Sequence, residues 1–183
     1  MKLDNLAPIR QELAEQAFSS GSSGLTTIGP GGFNSTVAAP SEEALIDFKS
    51  WLKIRFQAPE LLFKNSFAPS PPFRRFKVKI REEIVTLGTP ELMPESSNNH
   101  HLTPTQWNQV LKEESDVLLI DTRNWYETKV GTFKGAINPG IDKFTDFPEW
   151  LESQNYPKDK KMLIFCTGGI RCEKGILELQ RQG

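Results

Sequence analysis

A short segment near the end of the chain combines residue types that could support sulfur chemistry. Cys166 follows a short apolar run at 161–165 that predicts a buried parallel strand. The residues that follow it are Thr167, Gly168, Gly169, Ile170, Arg171 and Cys172. Glycines let consecutive backbone N–H groups turn towards one point, and the helix predicted from 173 adds partial positive charge. Because such a ring of donors lowers the pKa of a thiol, Cys166 is predicted to be a thiolate nucleophile.

The spacing between Cys166 and Arg171 separates two kinds of anion-binding loop. Cysteine phosphatases place one residue more between their cysteine and arginine than this sequence does. A shorter loop makes a tighter ring of amides, which suits a persulfide or a small sulfur anion better than a full phosphate. A single cysteine after a strand is most often a small buried apolar residue, but that leaves the two glycines and the arginine unexplained. The spacing resembles the active-site loop of rhodaneses, which are sulfurtransferases.

Four sequence blocks make this resemblance narrower. The run FCTGGIRCEK at 165–174 is similar to the signature of the rhodanese-containing tRNA uridine(34) hydroxylases. The blocks at 83–88, 120–124 and 131–139 resemble that family in the same order. The resemblance implies a small α+β domain before the rhodanese domain, and oxygen-dependent hydroxylation of carbon 5 of the wobble uridine in tRNA. It also implies that Cys166 acts as a persulfide, that molecular oxygen is a co-substrate, and that tRNA, through its anticodon region, is the partner.

Composition limits the remaining possibilities. The formal net charge of −1 provides no global basic field, so any affinity for RNA must come from a local patch. Two cysteines six positions apart fit a reducing compartment rather than a disulfide framework. His100 and His101 are adjacent in a polar segment without ligand spacing, so no metal site and no bound cofactor are predicted. Without an apolar leader or a membrane-length run, the cytoplasm is the expected location.

The first part of the chain predicts a small α+β domain. The pattern favours helices over 3–18 and from a Ser41 cap to about 55, with strands at 25–28, 35–38, 61–67 and 74–81. This order predicts a ferredoxin-like (acylphosphatase-like) domain over 1–87 that lacks its first strand.

The last of these strands alternates apolar and basic residues. Its basic side chains are Arg75, Lys77, Lys79 and Arg81. A charged strand face is usually only solvated, but beside the family resemblance this one is predicted to contact tRNA phosphates.

The second part predicts a rhodanese-like α/β domain with a doubly wound parallel sheet over 103–183, after a linker at 88–102. Thr103 is expected to cap a helix, and an apolar strand at 117–120 delivers Asp121 and Arg123 to the sheet edge that also carries Cys166. A bracing salt bridge between these two is favoured over direct chemistry. Glu127 is expected to be a surface or loop-bracing residue. For Cys172, resolving a mixed disulfide and simple packing stay equally open.

Relative to the family, the sequence is expected to be short at both ends. The first domain lacks its opening strand, and the rhodanese fold should continue beyond 183, which would leave a sheet edge exposed. Two alternatives to tRNA hydroxylation therefore stay open. The chain could be a small-molecule sulfurtransferase that receives sulfur from a donor, or an inactive fragment that serves as a binding module.

Overall fold

A computed structural model describes residues 2–94, 101–114 and 116–183 of the protein. The chain divides into two compact units, residues 2–84 and 85–183. The expected linker falls partly on residues 95–100, which lie outside the described residues, as does His100. No helix in the described ranges has both the length and the apolar character needed to cross a bilayer.

The first unit consists of two helices and a three-stranded sheet. Its elements are α1 (Leu6–Ser19), β1 (Ser23–Gly29), β2 (Gly32–Ala38), α2 (Glu42–Arg55) and β3 (Phe76–Ile80). The hydroxyl of Ser41 accepts a hydrogen bond from the Ala44 N–H at 3.1 Å, which confirms the predicted cap of α2. The sheet has the order β2-β1-β3, with β1 antiparallel to β2 and parallel to β3.

The core of this unit lies between the helices and one face of the sheet. Ile9 and Leu13 of α1, Ile28 of β1, and Phe48 and Leu52 of α2 are all nearly or completely buried together. Phe76 packs against this cluster, as do its strand neighbour Val78 and several other partly buried residues. Burial of this apolar area supplies most of the free energy that holds the unit together.

One predicted strand is absent. Residues 61–67 form no strand, so the prediction there was wrong, although the local pattern of apolar residues favoured one. A strand exists only if its backbone pairs with a neighbour, and the described sheet pairs β1 with β2 and β3 alone. The other departure is small: α1 begins at Leu6 rather than at residue 3, after Asn5 adopts a left-handed conformation.

The second unit has an α/β order. Its elements are α3 (Pro104–Glu113), β4 (Leu118–Asp121), α4 (Trp125–Thr128), a 3-10 turn (Phe144–Asp146), α5 (Phe147–Ser153), β5 (Met162–Phe165) and α6 (Ile170–Gln182). Thr103 and Gln106 form a reciprocal capping box at α3, which confirms the predicted start of that helix with proline at its first position.

The two strands of this unit are parallel and in direct register. Leu118 pairs with Met162 at one end, and Asp121 pairs with Phe165 at the other. Ile137 adds a single parallel bridge to Ile120. The buried core contains Ile120, Phe144 and Phe147, together with Leu87 and Leu151. The carboxyl ends of both strands therefore meet at one edge, which is where open α/β folds place their ligands.

Candidate functional site

The segment after β5 turns directly into a helix. Cys166 is the first residue beyond the strand, and α6 begins at Ile170. The sequence predicted that this helix begins only at 173. The helix begins three residues earlier, and Ile170, Arg171 and Cys172 therefore belong to its first turn rather than to the loop. Gly169 has φ of 86°, a left-handed conformation that favours glycine, and it makes the change of direction between strand and helix.

Backbone N–H groups converge on the sulfur of Cys166. The N–H of Gly169 donates to Cys166 Sγ at 3.0 Å. A hydrogen bond from the thiol of Cys172, followed by the N–H groups of Arg171, Cys172 and Gly168, outweighs the effect of burial and lowers the pKa of Cys166 to about 5. Cys166 is therefore a thiolate at neutral pH, which is the protonation state that a nucleophile requires.

Cys172 is the proton-bearing member of the cysteine pair. It is buried, and both cysteines are free thiols. The hydrogen bond to Cys166, burial and the nearby thiolate all raise the pKa of Cys172 above its ordinary value. Cys172 thus donates to the Cys166 sulfur from the helix turn, a third role that sequence reasoning had not considered beside disulfide resolution and packing.

Arg171 and Glu127 form an ion pair beside the loop. The Arg171 guanidinium donates through Nη2 to Glu127 Oε2 at 2.8 Å, and the hydroxyl of Thr167 donates to Glu127 Oε1 at 2.5 Å. Burial raises the pKa of Glu127, but these donors outweigh it and hold the pKa below its usual range. Glu127 therefore fixes both the loop and its arginine.

Sequence reasoning had assigned Glu127 to a surface or bracing position and had not included it among the site residues. A usable signal was present, because Asn124 and Glu127 have the spacing of a capping box, and the Glu127 carboxylate accepts from the Asn124 N–H at 3.2 Å. That spacing locates the start of a short helix close to the end of β4. The same carboxylate also reaches across to the loop after β5.

One donor of the site has no partner within the described residues. Nη1 of Arg171 is buried and makes no hydrogen bond there. An unpaired buried guanidinium N–H is costly, and a bound anion would satisfy it. A guanidinium N–H is a strong donor to sulfur and oxygen anions, and Arg171 lies in the first turn of the helix that follows Cys166.

Asp121 and Arg123 brace the end of β4. The carboxylate of Asp121 is fully buried and accepts hydrogen bonds from the Arg123 guanidinium at 2.7 and 2.8 Å and from the Thr132 hydroxyl at 2.8 Å. Burial raises the pKa of Asp121, but these bonds outweigh it, so that the pKa lies below its ordinary value. Arg123 also donates to the Gly131 carbonyl at 2.6 Å, which ties residues 121–132 together.

An aromatic cluster borders the site. The ring of Phe165 meets Phe133 edge-on at 4.9 Å and Trp107 at 6.2 Å between centroids. Phe133 remains nearly half exposed, and the indole N–H of Trp107 is buried without a hydrogen-bond partner in the described chain. Such a surface of rings beside a reactive sulfur suits a flat, polar substrate such as a nucleobase.

The predicted RNA-contacting residues lie in the other unit. Arg75, Lys77, Lys79 and Arg81 are all exposed, and only Lys77 and Lys79 fall within β3. The structure therefore keeps these four cations available to solvent.

The described residues hold no metal-binding cluster of three or more His, Cys, Asp or Glu side chains. His101 contacts Glu173 of α6 with 2.5 Å between Nε2 and Oε1. A pair of this kind is an ion pair only when the imidazole is protonated.

The contact between the two cysteines gives a first prediction. Replacing Cys172 with Ala removes a donor to a charged sulfur, so the pKa of Cys166 is expected to rise from about 5 by roughly one to two units, equivalent to about 1.5–3 kcal/mol. The rate of iodoacetamide alkylation at Cys166, followed by mass spectrometry across a pH series, measures this pKa.

The matched control is Cys172→Ser, which keeps a hydroxyl donor at the same position. Its alkylation midpoint should stay close to that of the unmodified chain. Equal midpoints for the Ala and Ser variants would show that Cys172 does not set the protonation state of Cys166.

Comparison with known proteins identifies the two units separately. Residues 1–84 match the family described as UPF0176 acylphosphatase like domain. Residues 104–183 match the rhodanese-like domain. The first match agrees with the predicted acylphosphatase-like fold, and the second with the predicted rhodanese fold.

Curated relatives carry both parts in the same order. A protein of Bdellovibrio bacteriovorus named tRNA uridine(34) hydroxylase is 57% identical over 182 residues, which cover all of this chain and 52% of that protein. Proteins with the same name from Acinetobacter baumannii strain AYE and Synechocystis are 41% and 40% identical, and the matches cover 55% and 61% of their lengths. The chain thus spans about half the length of the curated relatives it matches.

Proposed function

The chain belongs to the family that joins a UPF0176 acylphosphatase-like domain to a rhodanese-like domain, and we propose on that premise that it serves in hydroxylation of uridine 34 of tRNA. The observation that carries the proposal is the Cys166 loop, which keeps a thiolate at neutral pH at the start of a helix. The names of the relatives supply the substrate class.

In the proposed reaction, Cys166 carries the reactive sulfur as a persulfide. The N–H of Gly169 and the thiol of Cys172 stabilise the Cys166 thiolate, which takes the outer sulfur from a sulfane donor such as thiosulfate as the donor's sulfite leaves. In the persulfide the negative charge lies on the outer sulfur, and the unpaired Nη1 of Arg171 is proposed as a donor to it or to the substrate. A persulfide is a stronger nucleophile than a thiol because adjacent lone pairs raise its reactivity. Carbon 5 of the uracil ring is the proposed position of hydroxylation, with molecular oxygen as co-substrate: one oxygen atom enters the new C–OH bond, and the other leaves as water with two electrons from an external reductant.

The first unit is proposed to hold the anticodon arm. Four of its exposed cations, Arg75, Lys77, Lys79 and Arg81, supply the charge that phosphate contacts require. The formal net charge of the chain is only −1, so this local cluster supplies the positive field. The cytoplasm is the proposed location, in agreement with two free cysteines.

A second candidate function rests on the loop alone. Small-molecule sulfur transfer, from a donor such as thiosulfate to a thiol acceptor, would use the same thiolate and the same open donor of Arg171. That reaction needs no RNA, so the cations of the first unit would have no part in it. Charge reversal at Lys77 and Lys79 is therefore expected to weaken tRNA binding and to leave sulfur transfer unchanged.

The test of the proposed function is a nucleoside digest of tRNA. Cells that lack the native activity are compared with and without expression of this chain, and 5-hydroxyuridine is expected only with it. If the nucleoside is absent while purified protein still forms a persulfide at Cys166, the sulfurtransferase function is favoured. Absence of both would leave a binding module as the remaining interpretation.

A further inference from the structure

The first unit contains a groove between α1 and β3, and three of the four cations proposed to contact tRNA line it. It has a volume of about 620 Å³. One wall is formed by β3, and the opposite wall is formed by successive turns of α1. Its polar lining residues are Arg10 and Gln11 of α1, and Arg75, Lys77 and Lys79 at β3. The remaining lining side chains are small or apolar, which leaves the groove open to an incoming chain.

All charged residues that line the groove are positive. Arg10, Arg75, Lys77 and Lys79 all line it, and none of its lining residues is acidic. None of these four cations forms an ion pair within the described residues, and Gln11 is already bonded to Glu15 at 2.8 Å. Four uncompensated cations around one groove favour a polyanion over an acidic side chain or a single ion.

The strand that lines the groove has a free edge. Within the described chain, β3 pairs with β1 alone. The carbonyl of Arg75 accepts from Gly24, and the N–H of Arg81 donates to Ile28, so odd-numbered residues bond to β1. The N–H groups of the intervening Phe76 and Val78 therefore point away from β1, as alternation along a parallel strand requires.

An exposed aromatic ring lies on the same side of α1. Ala7, Gln11 and Ala14 line the groove at helical spacing, and Phe18 follows one turn later, 89% exposed. A solvated phenylalanine ring has no role in the core of the unit. Phe18 does not line the groove itself, but its helical spacing continues the row that does, so its exposed ring is a candidate surface for stacking of a base.

We propose that the groove between α1 and β3 binds a single-stranded stretch of RNA, with Arg10 and Lys77 on its phosphates and Phe18 stacking on a base. Lys77 and Lys79 are about 6.6 Å apart along the strand, which is similar to the spacing of successive phosphates in an extended single strand. A basic groove with an aromatic platform is the usual arrangement in proteins that bind single strands. The proposal rests on the proposed function only for the identity of the RNA as part of the tRNA substrate.

The test measures binding of a fluorescein-labelled oligouridylate to the purified chain by polarisation at several salt concentrations. Arg10→Gln is expected to weaken binding severalfold and to reduce the slope of log affinity against log salt by about 0.7, the value for one cation on a single strand. Phe18→Ala is expected to weaken binding about fivefold or more while leaving the salt slope unchanged. Lys143→Gln, an exposed lysine of the other unit, is the matched control and should bind as the unmodified chain does.

Three outcomes would overturn the proposal. One is unchanged affinity in both Arg10→Gln and Phe18→Ala, and another is tighter binding of duplex RNA than of the oligouridylate. A third is equal competition by a polyglutamate peptide, which would mark the groove as a site for acidic or extended peptides. Formation of 5-hydroxyuridine in cells is scored separately, so loss of the proposed function and loss of the groove proposal give different results.

Discussion

Replacing Cys166 with Ala is expected to reduce formation of 5-hydroxyuridine in tRNA by more than about a thousandfold, the scale on which enzymes lose activity with their nucleophile. The sulfur of Cys166 accepts hydrogen bonds from the Gly169 N–H and the Cys172 thiol. Because its pKa is about 5, this sulfur is negatively charged at neutral pH. Nucleoside analysis of tRNA from expressing cells measures the loss.

Cys172→Ser provides the matched control for this variant. It keeps a donor at the buried position in the first turn of α6, so activity should fall severalfold at most. Equal and complete loss in both variants would overturn the assignment of Cys166 as the sulfur carrier. Retained activity in Cys166→Ala would exclude any role for the loop in the reaction.

Replacing Arg123 with Met is expected to lower the free energy of unfolding of the second unit by about 3–5 kcal/mol. The carboxylate of Asp121 is fully buried, and Arg123 is its charged partner. Without the guanidinium, the carboxylate keeps hydroxyl donors such as Thr132 but loses its compensating charge. Urea unfolding followed by tryptophan fluorescence in a Trp51→Phe background measures the effect, because Trp107, Trp125 and Trp150 all lie in this unit.

The loss of stability in Arg123→Met should depend on pH. In the unmodified chain the pKa of Asp121 is lowered, so its stabilising contribution is present above the ordinary aspartate pKa and is lost as the pH falls through the lowered value. In the variant the guanidinium no longer opposes the effect of burial, so the pKa of Asp121 is expected to be higher than in the unmodified chain and the ionised carboxylate contributes less stability. The difference between the two proteins is therefore expected to be larger at pH 7 than at pH 4.

A double variant separates charge from packing at this position. Asp121→Asn combined with Arg123→Met removes both charges while it keeps the size of the buried side chain. It should be more stable than Arg123→Met alone at pH 7. If the double variant is the less stable of the two, the buried charge is not the source of the effect.

Local sequence signals predicted the features that depend on local structure. Ser41 and Thr103 marked the starts of α2 and α3 because a cap is formed within one helical turn. The apolar runs before Asp121 and Cys166 predicted two parallel strands, and the structure pairs them in direct register. The two glycines after Cys166 predicted a ring of amides, since few other residues accept the left-handed conformation of Gly169.

Features that depend on distant partners were not predictable in the same way. Residues 61–67 have the pattern of a strand, but pairing decides whether a strand forms, and the local pattern contains no information about pairing. Glu127 lies 44 residues from Arg171, so only the fold could decide between its two interpretations, a surface residue or a loop-bracing one, in favour of the second. The groove along β3 likewise depends on the packing of α1, which no local pattern specifies.

The carboxylate of Glu127 has a consequence for how the site opens and closes. It bonds to the Asn124 N–H at the start of α4 and also to Thr167 and Arg171 beside the thiolate. Segments joined by such bonds can open together as one local unit. Fraying of α4 is therefore expected to release Thr167 and Arg171 from their shared carboxylate, so the order of the loop that carries the thiolate depends on a four-residue helix that follows a different strand.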